Sequence, residues 1–520
     1  MNAYPLKHRR IARRRAARNA CACTVLTLTG VSTAVAADAP AWLLQPAIKA
    51  TVSATTNGAG APSGEEKKDI FTSVQPTVFV AGESPIYKLK ALLGADMVAY
   101  ANGSQANRIY PLVDADVTAA LVKQILFLDS SVSVRAAERD PYAARSTIGS
   151  TQNREIVSFY RVSPNVNYDI SPASKLSARY EEILARGDEG SATNQRFSNA
   201  SLGVSRKPSP LGGSLQYEAH VIRFSAPVTD QWRIETLKAI GDVKIADELI
   251  LGPVVGTERT KFSQEQQRDA LYGVHLQWNP TERTHLAAEV DHRFFGTGWN
   301  LDLRHRGTWF TLSVQLTRAP LTSSTTLGTA PSGSALGSFL DQILTSRYPD
   351  ASERAIAVSS LIANRGLAIG QDGPVDVRAS YAQLHNDARA TVVFLGSRNI
   401  VSITVYDSIR RALVRSGDAL DQLTSTTADN QQLGLAFDFN RKLTPQLTLD
   451  FATNWSRIRG VGLLGDDVAK EQVYRLSMVR AMSPQTGISA GVQYDRLDSS
   501  VLTATSYRAT SAFVGLSHKF

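Results

Sequence analysis

From Tyr272 to Trp278 the even positions are apolar (Tyr272, Val274, Leu276, Trp278), and the odd ones are small or polar (Gly273, His275, Gln277). After the turn Asn279-Pro280-Thr281-Glu282-Arg283 the alternation returns, with Leu286, Ala288, Val290 and Phe294 set against Glu289, Asp291 and Arg293. It returns twice more. Trp299, Leu301 and Leu303 oppose Asn300, Asp302, Arg304 and Arg306, and then Phe310, Leu312, Val314 and Leu316 oppose Thr311, Ser313, Gln315 and Thr317. Side chains alternate across a strand, so the pattern predicts four successive two-faced antiparallel strands. Two folds share that pattern: a soluble sandwich with its apolar faces packed together, and a membrane barrel with its apolar face on lipid.

Strand length separates them. Ile70 to Val80, Ile86 to Tyr100, Arg108 to Leu121 and Gln124 to Arg135 all alternate, whereas Thr51 to Thr56 is a weak first strand. Soluble strands centre on about five or six residues, and lipid-crossing ones need about nine to eleven. Short connections such as Ser171-Pro172-Ala173, Thr444-Pro445 and Ser483-Pro484-Gln485 alternate with long ones such as Glu138 to Arg154 and Arg411 to Asn430. Short turns at one end and long loops at the other predict a transmembrane, antiparallel, up-and-down all-β barrel of about 22 strands, within 20–24. The strands least marked by the pattern lie around Gln231 to Val255 and Val375 to Leu395.

One interval departs from the rhythm. Residues 319–374 begin with a Ser/Thr/Gly/Pro-rich linker, after which Leu336, Phe339, Leu340, Ile343 and Leu344 recur at helical spacing. Asp350-Ala351-Ser352-Glu353 reads as a capping box opening a second helix that ends near Asn364 before Gly366. By turn parity this helical loop insertion belongs with the long loops, as a lid over them or as a constriction folded into the pore.

The ends of the chain place it. Residues 1–36 read as a signal peptide, with a basic start (Lys7, Arg9, Arg10, Arg13, Arg14, Arg15, Arg18), a mildly apolar run from Ala20 to Val35, and a small-residue cleavage site at Ala34-Val35-Ala36. Removing those seven basic residues from a formal charge of +9 leaves +2, so no basic patch for nucleic acid survives processing. Cys21 and Cys23 leave with the leader, which excludes a disulfide framework and thiolate metal sites in residues 37–520, the expected barrel. At the other end Phe520, His518, Leu516, Val514 and Ala512 share one face. A terminal aromatic in the lipid-facing phase is similar to the signal read by the outer-membrane assembly machinery, although His518 stands where that pattern usually has an apolar residue. The expected setting is the outer membrane of a Gram-negative cell, with its lipid and that machinery as partners.

The segments YGVHLQWNPTERTHLAAEVDHRFFGTGWNLDLRHR (Tyr272 to Arg306) and FLGSRNIVSITVYDSIRRAL (Phe394 to Leu413) resemble the outer-membrane barrels associated with PEP-CTERM/exosortase systems. That resemblance implies an envelope protein tied to exopolysaccharide production, with polysaccharide as its cargo.

The strongest candidate for chemistry is the polar face of the opening stretch, where His275, Glu289, Asp291, Arg293, Asp302, Arg304 and Arg306 come from three neighbouring strands. The plain reading is a lumen-facing ion-pair network bracing a wide wall. The sharper one is a basic patch guiding an anionic sugar chain. Asp291 beside His292 suggests a hydrolase, but adjacent residues point to opposite faces, and no triad, metal spacing or phosphate loop is visible. The expectation is therefore a non-enzyme without cofactor. Alternation starts soon after the cleavage site, which leaves no space for the plug domain of TonB-dependent transporters. A channel or accessory for exopolysaccharide export is expected, ahead of a structural or adhesion barrel displaying its loops and an outer-membrane hydrolase.

Overall fold

The computed structural model describes residues 41–143, 153–187, 194–224, 230–262, 265–321, 373–375, 382–413, 429–461, 465–501 and 504–520. The leader expected over 1–36 and the helices expected between 322 and 372 lie outside the described residues.

The pattern resolves into 22 strands in chain order. The first ten are β1 (Ala41–Thr55), β2 (Asp69–Glu83), β3 (Tyr87–Tyr100), β4 (Arg108–Val122), β5 (Leu126–Glu138), β6 (Arg154–Ser171), β7 (Ser174–Gly187), β8 (Gln195–Arg206), β9 (Leu211–Phe224) and β10 (Asp230–Ala246). Then come β11 (Leu249–Phe262), β12 (Glu265–Thr281), β13 (Thr284–Arg293), β14 (Gly296–Arg306), β15 (Phe310–Leu321) and β16 (Gln383–Leu395). The wall finishes with β17 (Asn399–Ala412), β18 (Asn430–Lys442), β19 (Leu447–Gly460), β20 (Val468–Ala481), β21 (Thr486–Ser499) and β22 (Tyr507–Lys519). Each strand pairs antiparallel with its chain neighbours, and β1 pairs with β22 from Ala47 opposite Lys519 to Thr55 opposite Ser511. Closure leaves no open edge, which hydrocarbon would not tolerate.

Two boundaries differ from the sequence expectation. The weak first strand is longer than its alternation suggests, because all of Ala41 to Thr55 is held by β2. The interval expected to depart from strand at Ala319 does so later, since Ala319 and Leu321 still pair with His385 and Gln383.

The apolar phase points outward. Val255 is 55% exposed, Tyr272 58% and Val514 59%, a continuous oily surface that water would not support around a closed wall. At one end every connection between strands is two to four residues long, as at Glu282-Arg283, and the start of β1 and the end of β22 lie there too. The long connections all lie at the other end, among them fifteen residues between β5 and β6 and seventeen between β17 and β18, which marks it as the outer mouth. Aromatic side chains ring the outside near both ends: Trp42 against Tyr87 and Trp309 stacked on Phe394 at the short-turn end, Tyr272, Trp299 and Trp455 toward the mouth. Phe520 is 68% exposed beyond β22, and its backbone N–H donates to the Pro46 carbonyl (2.9 Å) across the closing pair.

Candidate functional site in the barrel lumen

All seven side chains singled out in the sequence lie on the inner face, because His275 on β12 is in register with Glu289 on β13, Asp291 with Gly298 on β14, and Asp302 with Gln315 on β15. Their partners are mostly not one another. Arg293 grips Glu258 on β11, donating from Nε at 2.9 Å and more closely from Nη2, and Glu258 is fully buried. Lys238 on β10 reaches Glu289 on β13 (2.8 Å), and His275 lies 3.4 Å from Asp242 on β10. Within the predicted set Arg304 pairs with Asp302 at 2.8 Å. Asp291 is buried beside Gln216, Glu218, Thr236 and Lys238, which line a small cavity in the wall.

The missing partners come from β10 and β11, where the alternation was weakest. Glycines explain the reach. Gly256 lies opposite Leu271, and Gly273 lies opposite Asp291, so two inner positions of β11 and β12 between Lys238 and Glu289 carry no side chain, with Val254 and Leu271 flanking the gap. A Cβ at Gly273 would also strike the Val290 carbonyl oxygen and come within 2.7 Å of the Asp291 Cα. With β9 to β13 taken together, the described inner side chains include six acids (Glu218, Asp242, Glu258, Asp269, Glu289, Asp291) and three permanent bases (Lys238, Lys244, Arg293). Acids prevail on β9 to β13, while inner β14 adds Asp302 against Arg304 and Arg306. Adjacent-strand reading misses this because a lysine and a glutamate three strands apart are brought together by the register of β10 to β13.

The inner surface is not polar throughout. Toward the mouth, Phe159 on β6, Ile183 on β7, Phe197 on β8, Ile222 on β9 and Trp232 on β10 form one buried apolar cluster. Its trace in the sequence is a lapse in alternation. Val221-Ile222 and Ile183-Leu184 put apolar residues on both faces, as strands buried on both sides do. The loop after β5 also turns inward: Tyr142 is fully buried against Ile458, Leu497 and Tyr507 on β19, β21 and β22. Its position is fixed by Asp140, whose carboxylate accepts from the Tyr142 N–H (2.9 Å), and by Asn153, which donates to the Asp140 carbonyl (2.8 Å). Before β16, Val375 is likewise held to the inner wall: its N–H donates to Gln432 Oε1 (2.7 Å), and its carbonyl accepts from Gln432 Nε2 (2.9 Å) and from Arg410.

The residues considered for hydrolysis are separated as alternation requires. Asp291 faces in, while His292 faces out, stacked on Tyr272 at 5.0 Å. His285 meets Asn279 (2.6 Å) and His305 meets Thr284 (2.8 Å). The fold does gather His385, Asp387 and Ser408 on β16 and β17, which the sequence reading did not single out. Ser408 donates to Asp387, and His385 lies 3.8 Å from that same carboxylate, so the acid sits between hydroxyl and imidazole. A nucleophile needs the base next to its hydroxyl.

Closed wall, oily exterior and charged interior together define a transmembrane β-barrel of the Gram-negative outer membrane. No family model and no curated protein matches the chain. Among solved structures, the FrpB iron transporter from Neisseria meningitidis matches with a TM-score of 0.49 and 8% identity, over 92% of this chain and 82% of that one. The siderophore receptor PirA from Acinetobacter baumannii gives 0.47 and 9%, over 94% and 81%. PirA from Pseudomonas aeruginosa gives 0.44 and 8%, over 93% and 81%. At such scores no ligand or mechanism carries across. The resemblance to PEP-CTERM/exosortase-associated barrels is not sustained: no family model supports it, and these structural matches are iron and siderophore proteins. The two quoted segments are amphipathic strands β12 to β14 and β16 to β17, whose alternation any membrane barrel shares.

Proposed function

We propose that the protein is a non-catalytic solute conduit of the outer membrane that favours cations. The supporting observation is the inner face of β9 to β13, where acids outnumber permanent bases by six to three. Charges lining a low-dielectric pore select by sign, so this wall attracts cations and repels an anionic sugar chain. Residues 319–374 are taken as the loop insertion of this conduit, and Phe520 as the signal for its assembly.

The test is a planar bilayer holding the purified full chain, and a variant lacking residues 325–370, under a potassium chloride gradient. Conductance with a cation-selective reversal potential is expected in at least one of the two, and its selectivity falls in Glu289→Gln/Asp291→Asn. Silence from both proteins, or anion selectivity, would overturn the reading.

A further inference from the structure

We infer that the outside of the barrel carries a binding collar for phosphorylated lipid headgroups of the outer leaflet, built on two arcs of outward-facing arginines and lysines. This concerns the outer wall and does not rest on the conduit reading. Within six residues of the mouth, the outward positions of β7 to β12 hold seven bases. Arg186 and Arg196 stand on β7 and β8, Arg223 and Arg233 on β9 and β10, then Arg259, Lys261 and Arg268 on β11 and β12. Among the described residues of that band, Glu182 and Glu235 oppose them. The corresponding band of β17 to β22 holds Arg411, Arg457, Arg459, Lys470, Arg496 and Arg508 against Asp407 and Asp498. By contrast, β1 to β4 carry no charge there and end outward in Val52, Ile70, Met97 and Ile109.

Height assigns the ligand. Each arc lies just above outward aromatics of the same strands: Arg268 above Tyr272, Arg457 and Arg459 above Trp455, Lys470 above Tyr474, Arg496 above Tyr494. Tyrosine and tryptophan settle at the boundary between hydrocarbon and headgroups, so the bases above them stand at headgroup level. Several are held in place: Arg268 Nε donates to Thr257 Oγ1 (3.2 Å), Arg259 Nη2 to Gln266 Oε1 (3.0 Å), and Arg459 Nε to the Gly465 carbonyl (2.9 Å). Among the described residues, ion pairs inside the arcs engage four of the thirteen bases, Arg196 with Glu182, Arg233 and Arg259 sharing Glu235, and Arg496 with Asp498. A planar guanidinium fixed at the boundary of a low-dielectric slab is suited to two-pronged contact with phosphate.

The experiment uses the full chain in nonionic detergent, doped with a bis-phosphorylated glucosamine-disaccharide lipid or with the same lipid lacking both phosphates. Lipid retained after washing is quantified by mass spectrometry. At low salt the unmodified protein is expected to keep at least about ten-fold more of the phosphorylated form, a preference that shrinks as salt rises. Arg223→Gln/Arg259→Gln/Arg268→Gln and Arg457→Gln/Arg459→Gln/Arg508→Gln should each lose a large part of it, while the matching lysine triples, which keep the charge but not the two-pronged contact, fall between these and the unmodified protein. Heat-modifiable migration on gels shows that each variant has folded, and the lysine triples keep the test decisive if a glutamine triple does not fold. Equal retention of both lipids, lysine triples that bind no more than glutamine triples, or folded glutamine triples that bind as unmodified protein would overturn the assignment.

Discussion

Glu258 shows how much one residue in this wall depends on a partner that the local sequence does not display. It is fully buried on β11, where Arg293 grips it, the Phe294 N–H donates to it (3.3 Å), and Thr236 Oγ1 donates at 3.2 Å. Removing the guanidinium alone leaves a buried carboxylate without its counter-charge, which typically costs about 3–5 kcal/mol. Arg293→Ala is therefore expected to lower stability by that order in urea unfolding from lipid vesicles, and Glu258→Gln/Arg293→Met to recover a large part. Tyr142 makes the opposite case. Its hydroxyl has no hydrogen-bond partner among the described residues, so Tyr142→Phe should be neutral and Tyr142→Ala should free the loop. Burial also pushes the phenol up from its ordinary value. The neutral form is the one that packs, so anchorage is complete below about pH 10 and is lost as pH rises beyond the value of a free tyrosine. Protease cleavage within residues 139–153, followed against pH, should rise in the unmodified protein at alkaline pH and stay flat in Tyr142→Phe.

At the scale of strands, the inner glycines of β11 and β12 allow the sheet to carry charge pairs three strands apart. Gly273→Ala would press a methyl group into the Val290 carbonyl and the Asp291 backbone, forcing β12 from β13. Overpacking of this kind costs typically 1–3 kcal/mol. The expected result is a barrel that loses heat resistance on gels and in which the Lys238 to Glu289 bridge lengthens. An unchanged melting profile would mean that the neighbouring strand yields without strain. Strand identity and length were legible because alternation is strict wherever one face meets lipid and the other water. It failed at the upper parts of β6 to β10, where Val157, Phe159, Ile222 and Ile234 make the inner face apolar too.

For the molecule as a whole, the distribution of charge matters more than its sum of +9, seven units of which lie in residues 1–36. Bases gather on the outside near the mouth and acids on the inner wall of β9 to β13, so the two surfaces face different partners. Luminal selectivity of this origin is a field effect that salt screens over about 10 Å at 0.1 M and about 3 Å at 1 M. Cation preference measured by reversal potential should accordingly shrink between those concentrations. A preference unaffected by salt would place selection in direct contact sites instead.

The two-residue period, the length of each run, and the alternation of short and long connections belong to the chain itself. They specified a closed antiparallel membrane barrel, its strand number and which side chains face inward, because the pleat forces successive side chains to opposite sides. The partners of those inward charges, the apolar cluster below the mouth and the inward turn of Tyr142 came only with the register and packing of the assembled sheet. A sheet of 22 strands brings together residues hundreds of positions apart, such as Thr55 and Ser511, and no local period encodes such a meeting.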